Sequence, residues 1–303
     1  MATTWMSGAG NLFVMVDGFV EACPADPAAF AREQCALAAP NGQRPDGVIL
    51  VKRPRAGGGC VMEIYNADGS RPETCGNGLR CVAKLAFDRG HVTTNPFVIE
   101  TDAGPVTARV ALAEETRPAH RSAHGAAHTA EPRTTASSAG KRTPASSGPK
   151  VARATVAMGT PRILARGERL QALGGEHAAV LVDVGNPHCV LFVDDEREAP
   201  VTTLGPALER HARFPRGTNV EFLALRREGA FLRVWERGVG ETQACGTGAC
   251  AAALAAVDAG RAIPVTLRVP GGVLVVDADG RGGVTLEGPV EELAPTPVRL
   301  TGE

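Results

Sequence analysis

The feature that most constrains this chain is a motif that occurs twice. Cys75-Gly-Asn-Gly-Leu-Arg-Cys81 opens an apolar run in the first half, and Cys245-Gly-Thr-Gly-Ala-Cys250 opens a similar run in the second. A Glu-Thr pair stands shortly before each, Glu73-Thr74 and Glu241-Thr242. Self-similarity over such a separation points to one folding unit used twice. A length of 303 residues suits two units, since single domains most often hold about 100–150 residues.

Between the halves the composition changes abruptly. From 113 to 150, Ala, Ser, Thr, Pro, His and Arg alternate without period and large apolar side chains are nearly absent, which predicts a disordered, solvated insert. His120, His124 and His128 fall four apart there, a metal-ligand geometry on a helix, but the surrounding Gly, Pro and Ser oppose that helix. The chain thus divides into 1–112, the insert, and 151–289. Short apolar runs predict strands at 11–17, 48–52, 60–65, 97–101 and 106–111 in the first part. The second part offers strands at 151–158, 178–182, 189–193, 219–225, 231–236, 265–269, 273–276 and 284–287. Asp26 as N-cap followed by Pro27 starts a helix reaching Ala38. The fold class is mixed α/β, rich in strands.

Composition mainly excludes. A formal net charge of -1 offers no basic field for nucleic acid or anionic lipid, so neither is expected as a partner. No apolar run is long enough to span a bilayer, and the first ten residues lack the pattern of a signal peptide, so a cytoplasmic protein is expected. Eight cysteines at irregular spacing are then more simply thiols than disulfides.

A Cys-Gly-x-Gly step at a helix start places a thiol beside unpaired backbone N–H groups, with glycines that let a ligand approach closely. The positive helix end should favour thiolate over thiol and so lower the pKa of Cys75 and Cys245. Two such ends facing one carbon suit an inversion, in which one thiolate removes an α-proton and the opposite thiol delivers another to the other face. Each motif alone has a plainer reading. Cysteine is among the most buried residue types, the spacings from Cys75 to Cys81 and Cys245 to Cys250 are wrong for zinc, and no Gly-Lys-Ser/Thr step or dinucleotide fingerprint follows the glycines. Cys23, Cys35 and Cys60 lack any such context and read as packing residues.

Asn66-Ala-Asp-Gly-Ser70 leading to Thr74-Cys-Gly-Asn-Gly78 resembles the first active-site signature of the diaminopimelate epimerases. Glu236-Arg-Gly-Val-Gly-Glu-Thr242 leading to Ala244-Cys-Gly-Thr-Gly-Ala249 resembles the second, and Asn66 and Glu236 stand equally far before their cysteines. Gly8 to Phe13, Gly185 to Cys189 and Gly217 to Val220 are similar to three further motifs of that family, in its order. The likeness covers all but the insert.

The resemblance implies two pseudo-symmetric, strand-rich α/β domains, each wrapped around a central helix, with the site between them, and it allows 290–303 to contribute to the first domain. It implies interconversion of LL- and meso-diaminopimelate, in lysine and peptidoglycan precursor biosynthesis, by a homodimeric enzyme with no cofactor and no metal. Cys75 and Cys245 would be the acid–base pair. Asn11, Asn66, Asn186, Asn219, Glu236 and Arg237 would hold the remote amino-acid end of the substrate, while Gly76, Asn77, Gly246 and Thr247 would cradle the reacting carboxylate. His188 and Glu236 would adjust the surroundings of the thiols.

Some positions depart from the family's pattern. Leu12 stands where Asp is usual, and Arg44-Pro-Asp-Gly47 lacks part of the glycine-rich approach, which affects the pocket rim. Asn77 after the first Cys-Gly argues against a proline racemase-like enzyme, which carries His there, and the cysteine pair argues against the phenazine-type isomerases. Histidine racemase-like relatives keep both cysteines and remain an alternative. An inactive amino-acid-binding protein is a different class, opposed by the presence of both bases.

Overall fold

A computed structural model describes residues 1–39, 42–72, 75–113 and 150–293. Its first elements are β1 (Thr4–Gly8), β2 (Asn11–Asp17), α1 (Pro27–Ala36), β3 (Gly47–Lys52), β4 (Cys60–Asn66), α2 (Gly76–Asp88), β5 (Phe97–Thr101), β6 (Gly104–Leu112) and β7 (Val151–Ala157). There follow β8 (Arg162–Ala172), β9 (Gly175–Asp183), β10 (Pro187–Phe192), α3 (Val201–Glu209), β11 (Asn219–Arg226), β12 (Gly229–Glu236), β13 (Gly240–Thr242) and α4 (Gly246–Asp258). β14 (Val265–Val269), β15 (Gly272–Ala278) and β16 (Val284–Leu293) complete the order.

Two strand-rich layers wrap two helices. The first runs β1-β2-β3-β4-β5-β6-β7-β16 and closes on itself, because β1 also pairs with β16. The second continues from β16 through β15, β14, β12, β11, β10 and β9 to β8, with β13 paired to β12. β16 therefore belongs to both: Thr285 to Pro289 pair with β7, Val275 to Ala278 of β15 face Val284 to Glu287, and Val290 to Leu293 reach β1. This is the mixed α/β, pseudo-symmetric architecture with one central helix per half.

The strands follow from local chemistry. β2 and β3 pair in parallel, and β2 is buried throughout, its outer face under α1 and its inner face toward α2. A strand covered on both sides favours apolar residues at every position between its ends, which is why Leu12-Phe-Val-Met-Val16 reads as a continuous apolar run. The helix α1 begins as expected, with Asp26 accepting from Ala29 N at 3.0 Å and Pro27 in the first turn. It ends at Ala36 rather than Ala38, where the backbone of Leu37 turns extended.

The central helices are enclosed on all sides. Gly76 to Ala86 of α2 are buried without interruption, as is nearly all of Gly246 to Ala256 in α4. Neither shows an exposed stripe, because each is surrounded by its own strands. In α4 the enclosure is tightened by Ala249, Ala251, Ala252, Ala253, Ala255 and Ala256.

The sequence pattern left out β1, β8, β13 and α3. β8 alternates charged and apolar residues at the edge of the second layer, with bulges near Ala165, and charge on an edge strand blunts pairing with other chains. Its turn into β9 has positive φ at Leu173 and Gly174, the backbone of a tight hairpin. β7 lies beyond the low-complexity stretch in sequence, yet pairs with β6 and packs on α2. Ala113 N donates to Lys150 O at 3.0 Å, so the flanks of that stretch meet. The expected disorder of 113–150 and the His120, His124 and His128 triplet fall almost wholly outside the described residues. Among the described residues no helix is long and apolar enough to cross a membrane.

Candidate active site

Both repeated cysteines cap the central helices. Cys75 has an extended backbone and its Sγ accepts from Gly78 N at 3.3 Å; Cys245 does the same for α4, accepting from Gly248 N at 3.4 Å. A Cβ added to Gly246 would lie 3.2 Å from Gly76 Cα and 3.1 Å from Leu286 Cδ2. One added to Gly76 would lie 3.3 Å from the same Leu286 atom. The two helix N-termini thus meet over the shared strand β16, with their free N–H groups and partial positive charges directed into one small region.

Hydrogen bonds tie the other site residues to that region. Asn77 Nδ2 donates to Asn11 Oδ1 at 2.7 Å and to Ala244 O at 2.8 Å, so its side chain bridges the two halves. The side-chain amide is thus engaged within the protein, leaving only the backbone N–H of Asn77 as a donor at the helix end. Asn11 in turn donates to Asp46 at 3.4 Å. On the other side, Thr247 Oγ1 lies 3.5 Å from Cys245 Sγ and accepts from Asn186 Nδ2 at 3.4 Å. Asn186 Oδ1 is 2.9 Å from His188 Nε2, and His188 Nδ1 is 2.6 Å from Glu221 Oε1. Glu236 accepts from Thr242 Oγ1, and its charge acts on Cys245. Asn219 donates to Pro187 O at 3.0 Å and accepts from Arg237 N at 2.9 Å.

Two expected residues stand apart. Asn66, at the end of β4, donates to Ser70 Oγ at 2.9 Å. Arg237 is exposed, and its guanidinium donates to Arg216 O at 3.4 Å rather than to any other residue of the site.

The thiols differ from expectation in one respect. Burial pushes Cys75 up to about 11, and Cys245 is raised well above an ordinary thiol, again first by burial and then by the charge of Glu236. The N–H groups of Gly78 and Gly248 oppose this, as a helix N-terminus should, but desolvation outweighs them. Burial likewise raises the carboxyls of Asp46, Glu221 and Glu236. Such a dry site gives a substrate's charges little screening.

Three residues carry no individual role in the motif reading: Asp46, Arg80 and Glu221. Arg80 and Glu221 are fully buried; Glu221 is a lone charge inside an apolar run, and Arg80 shares its run with Lys84. That pattern was the available signal. Asp46, which accepts from Leu12 N at 2.8 Å, sits in a turn where an acid is ordinary.

The family model described as diaminopimelate epimerase matches residues 3–129 and 180–292. A diaminopimelate epimerase of Desulforudis audaxviator is 40% identical over 296 residues, covering 97% of each chain. That of Geobacillus kaustophilus is 40% identical over 296 residues, covering 95% of this chain and 93% of its own. A probable proline racemase from Agrobacterium radiobacter with bound carbonate shares the fold, with a TM-score of 0.64 at 14% identity over 98% of this chain and 92% of its own. On the extent of these matches, the chain belongs to the diaminopimelate epimerase family.

Proposed function

We propose that the protein is a diaminopimelate epimerase, interconverting LL- and meso-diaminopimelate by proton transfer at one α-carbon. The observation that carries this is the meeting of two cysteine-capped helix ends at Gly76 and Gly246. The α-carboxylate would sit against the free N–H groups at these ends, where the charge that develops on proton removal is also stabilised. One thiolate takes the α-proton and becomes a thiol; the opposite thiol gives its proton to the other face and becomes a thiolate. Two protons have moved, one off the substrate and one onto it, so the substrate keeps its proton count while the stereocentre is inverted, with side chains of this chain alone as acid and base. Asn11, Asn66, Asn186, Asn219, Glu236 and Arg237 would hold the remote amino-acid group, which requires Arg237 to turn from Arg216 toward the substrate. Membership of the family extends the reading to a cytoplasmic homodimer with no nucleic-acid or membrane partner.

Incubation of LL-diaminopimelate in deuterated water tests it. The product should carry deuterium at the α-carbon from its first turnover, while recovered substrate stays unlabelled, because acid and base are different groups. Equal early labelling of both pools would overturn the two-thiol mechanism, and no turnover of diaminopimelate would overturn the substrate. Parallel incubation with histidine and proline separates the racemase alternatives.

A further inference from the structure

The two halves are built alike, but the charges behind their thiols are not. At matching positions after the cap cysteines stand Arg80 on α2 and Cys250 on α4. Arg80 is 0% exposed; its guanidinium donates to Asn77 Oδ1 at 2.8 Å and to Gly76 O at 3.4 Å, and Nε has no partner among the described residues. Neither of these acceptors is a carboxylate. The charged or titratable groups facing it are Cys75 and Cys81 of its own helix, Cys250 of α4, and Arg153 of β7. Space for it exists because β16 has Gly288 there, where a Cβ would lie 2.9 Å from Nε.

The opposite charge lies behind the other thiol. A Cβ on Gly78 would meet Ile49 Cδ1 at 2.8 Å and Cys75 Sγ at 3.2 Å; at the matching Gly248 it would meet Glu221 Oε1 at 2.9 Å and Cys245 Sγ at 3.3 Å. Glu221, on β11, is 0% exposed, bonds His188 of β10 through Oε1, and leaves Oε2 without a partner among the described residues. A buried ionisable group is costly unless it is paired; Arg80 has no carboxylate partner, and Glu221 has only the imidazole of His188.

We infer that Arg80 and Glu221 are positioning residues that make the thiols unequal, so that Cys75 gives up its proton at lower pH than Cys245. This rests on the two cysteines being the acid–base pair. Around Cys75, Arg80 and Gly78 N–H favour the thiolate, against burial, Glu236 and Asp46. Around Cys245, Glu221 joins burial and Glu236 in favouring the thiol, against Thr247 and Gly248 N–H. The substrate isomer whose α-proton faces Cys75 then meets a ready base, and each such turnover must be followed by return of the proton to Cys245.

The test is carbamidomethylation by iodoacetamide across pH without substrate, followed at the Cys75 and Cys245 peptides by mass spectrometry. Midpoints of the pH profiles are compared, since these do not depend on how open each thiol is. The wild type should show a lower midpoint for Cys75. Arg80→Met should raise the Cys75 midpoint by about one pH unit or more and leave that of Cys245, and Arg80→Lys should restore it. Glu221→Gln, which keeps the shape and a bond to His188, should lower the Cys245 midpoint and leave that of Cys75; it decides the matter even if Arg80→Met fails to fold. A Cys245 midpoint at or below that of Cys75 in the wild type, or variants that move both thiols together or neither, would overturn the inference. Absence of diaminopimelate turnover would leave these midpoints readable and would count against the proposed substrate alone.

Discussion

Gly76 and Gly246 face each other across the centre of the molecule, so that a Cβ on Gly246 would stand 3.2 Å from Gly76 Cα. This approach lets two helix ends share one site. Neither glycine has a positive φ, so space and not backbone strain is what alanine would violate. Gly246→Ala should therefore fold yet push the two ends apart by a fraction of an ångström, lowering kcat by about 10²-fold. Steady-state turnover beside a circular-dichroism melt checks this; full activity would show that the spacing has slack.

Asn77 is the polar bridge between the halves. Its removal in Asn77→Ala strands Asn11 Oδ1, Ala244 O and the guanidinium of Arg80, all buried. Buried groups left without partners each cost about 1–3 kcal/mol, so the variant should lose at least about 2 kcal/mol in urea denaturation. A loss below about 0.5 kcal/mol would mean that the bridge contributes nothing net.

Arg237 separates binding from stability. Among the described residues its only side-chain hydrogen bond is the long one to Arg216 O at the surface, so Arg237→Met should change the unfolding free energy by no more than about 0.5 kcal/mol. The same change should raise KM for diaminopimelate severely, since Met cannot form the two-pronged bond to a carboxylate. An unaltered KM would remove Arg237 from the site.

Buried thiols set an alkaline limit on the fold. Burial raises Cys35 to about 11 and Cys60, Cys81 and Cys250 to about 12, from an ordinary value of 9.0. A group raised on folding contributes stability fully present below its unfolded pKa and lost as pH climbs toward the folded one. Tm should therefore be steady up to about pH 8 and fall progressively between 9 and 11. A Tm flat across that range would contradict the burial of these groups.

Much of this was legible in the sequence. The paired Cys-Gly-x-Gly motifs placed both helix starts, because a side-chain cap and close-packed glycines are local requirements. The apolar runs placed β2, β3 and β11, because a strand covered on both faces is predominantly apolar. β8 and α3 escaped, since an edge strand and a short surface helix are polar enough to resemble loop. What only the tertiary structure decided was the company each residue keeps. The helix ends by themselves argue for low-pKa thiols, yet Cys75 and Cys245 are raised, because desolvation depends on strands distant in sequence closing around them. Arg80 and Glu221 are likewise ordinary charges in a sequence and become consequential only where α2 and β11 carry them into the dry centre, since the energy of a charge is set by the medium and neighbours that folding supplies.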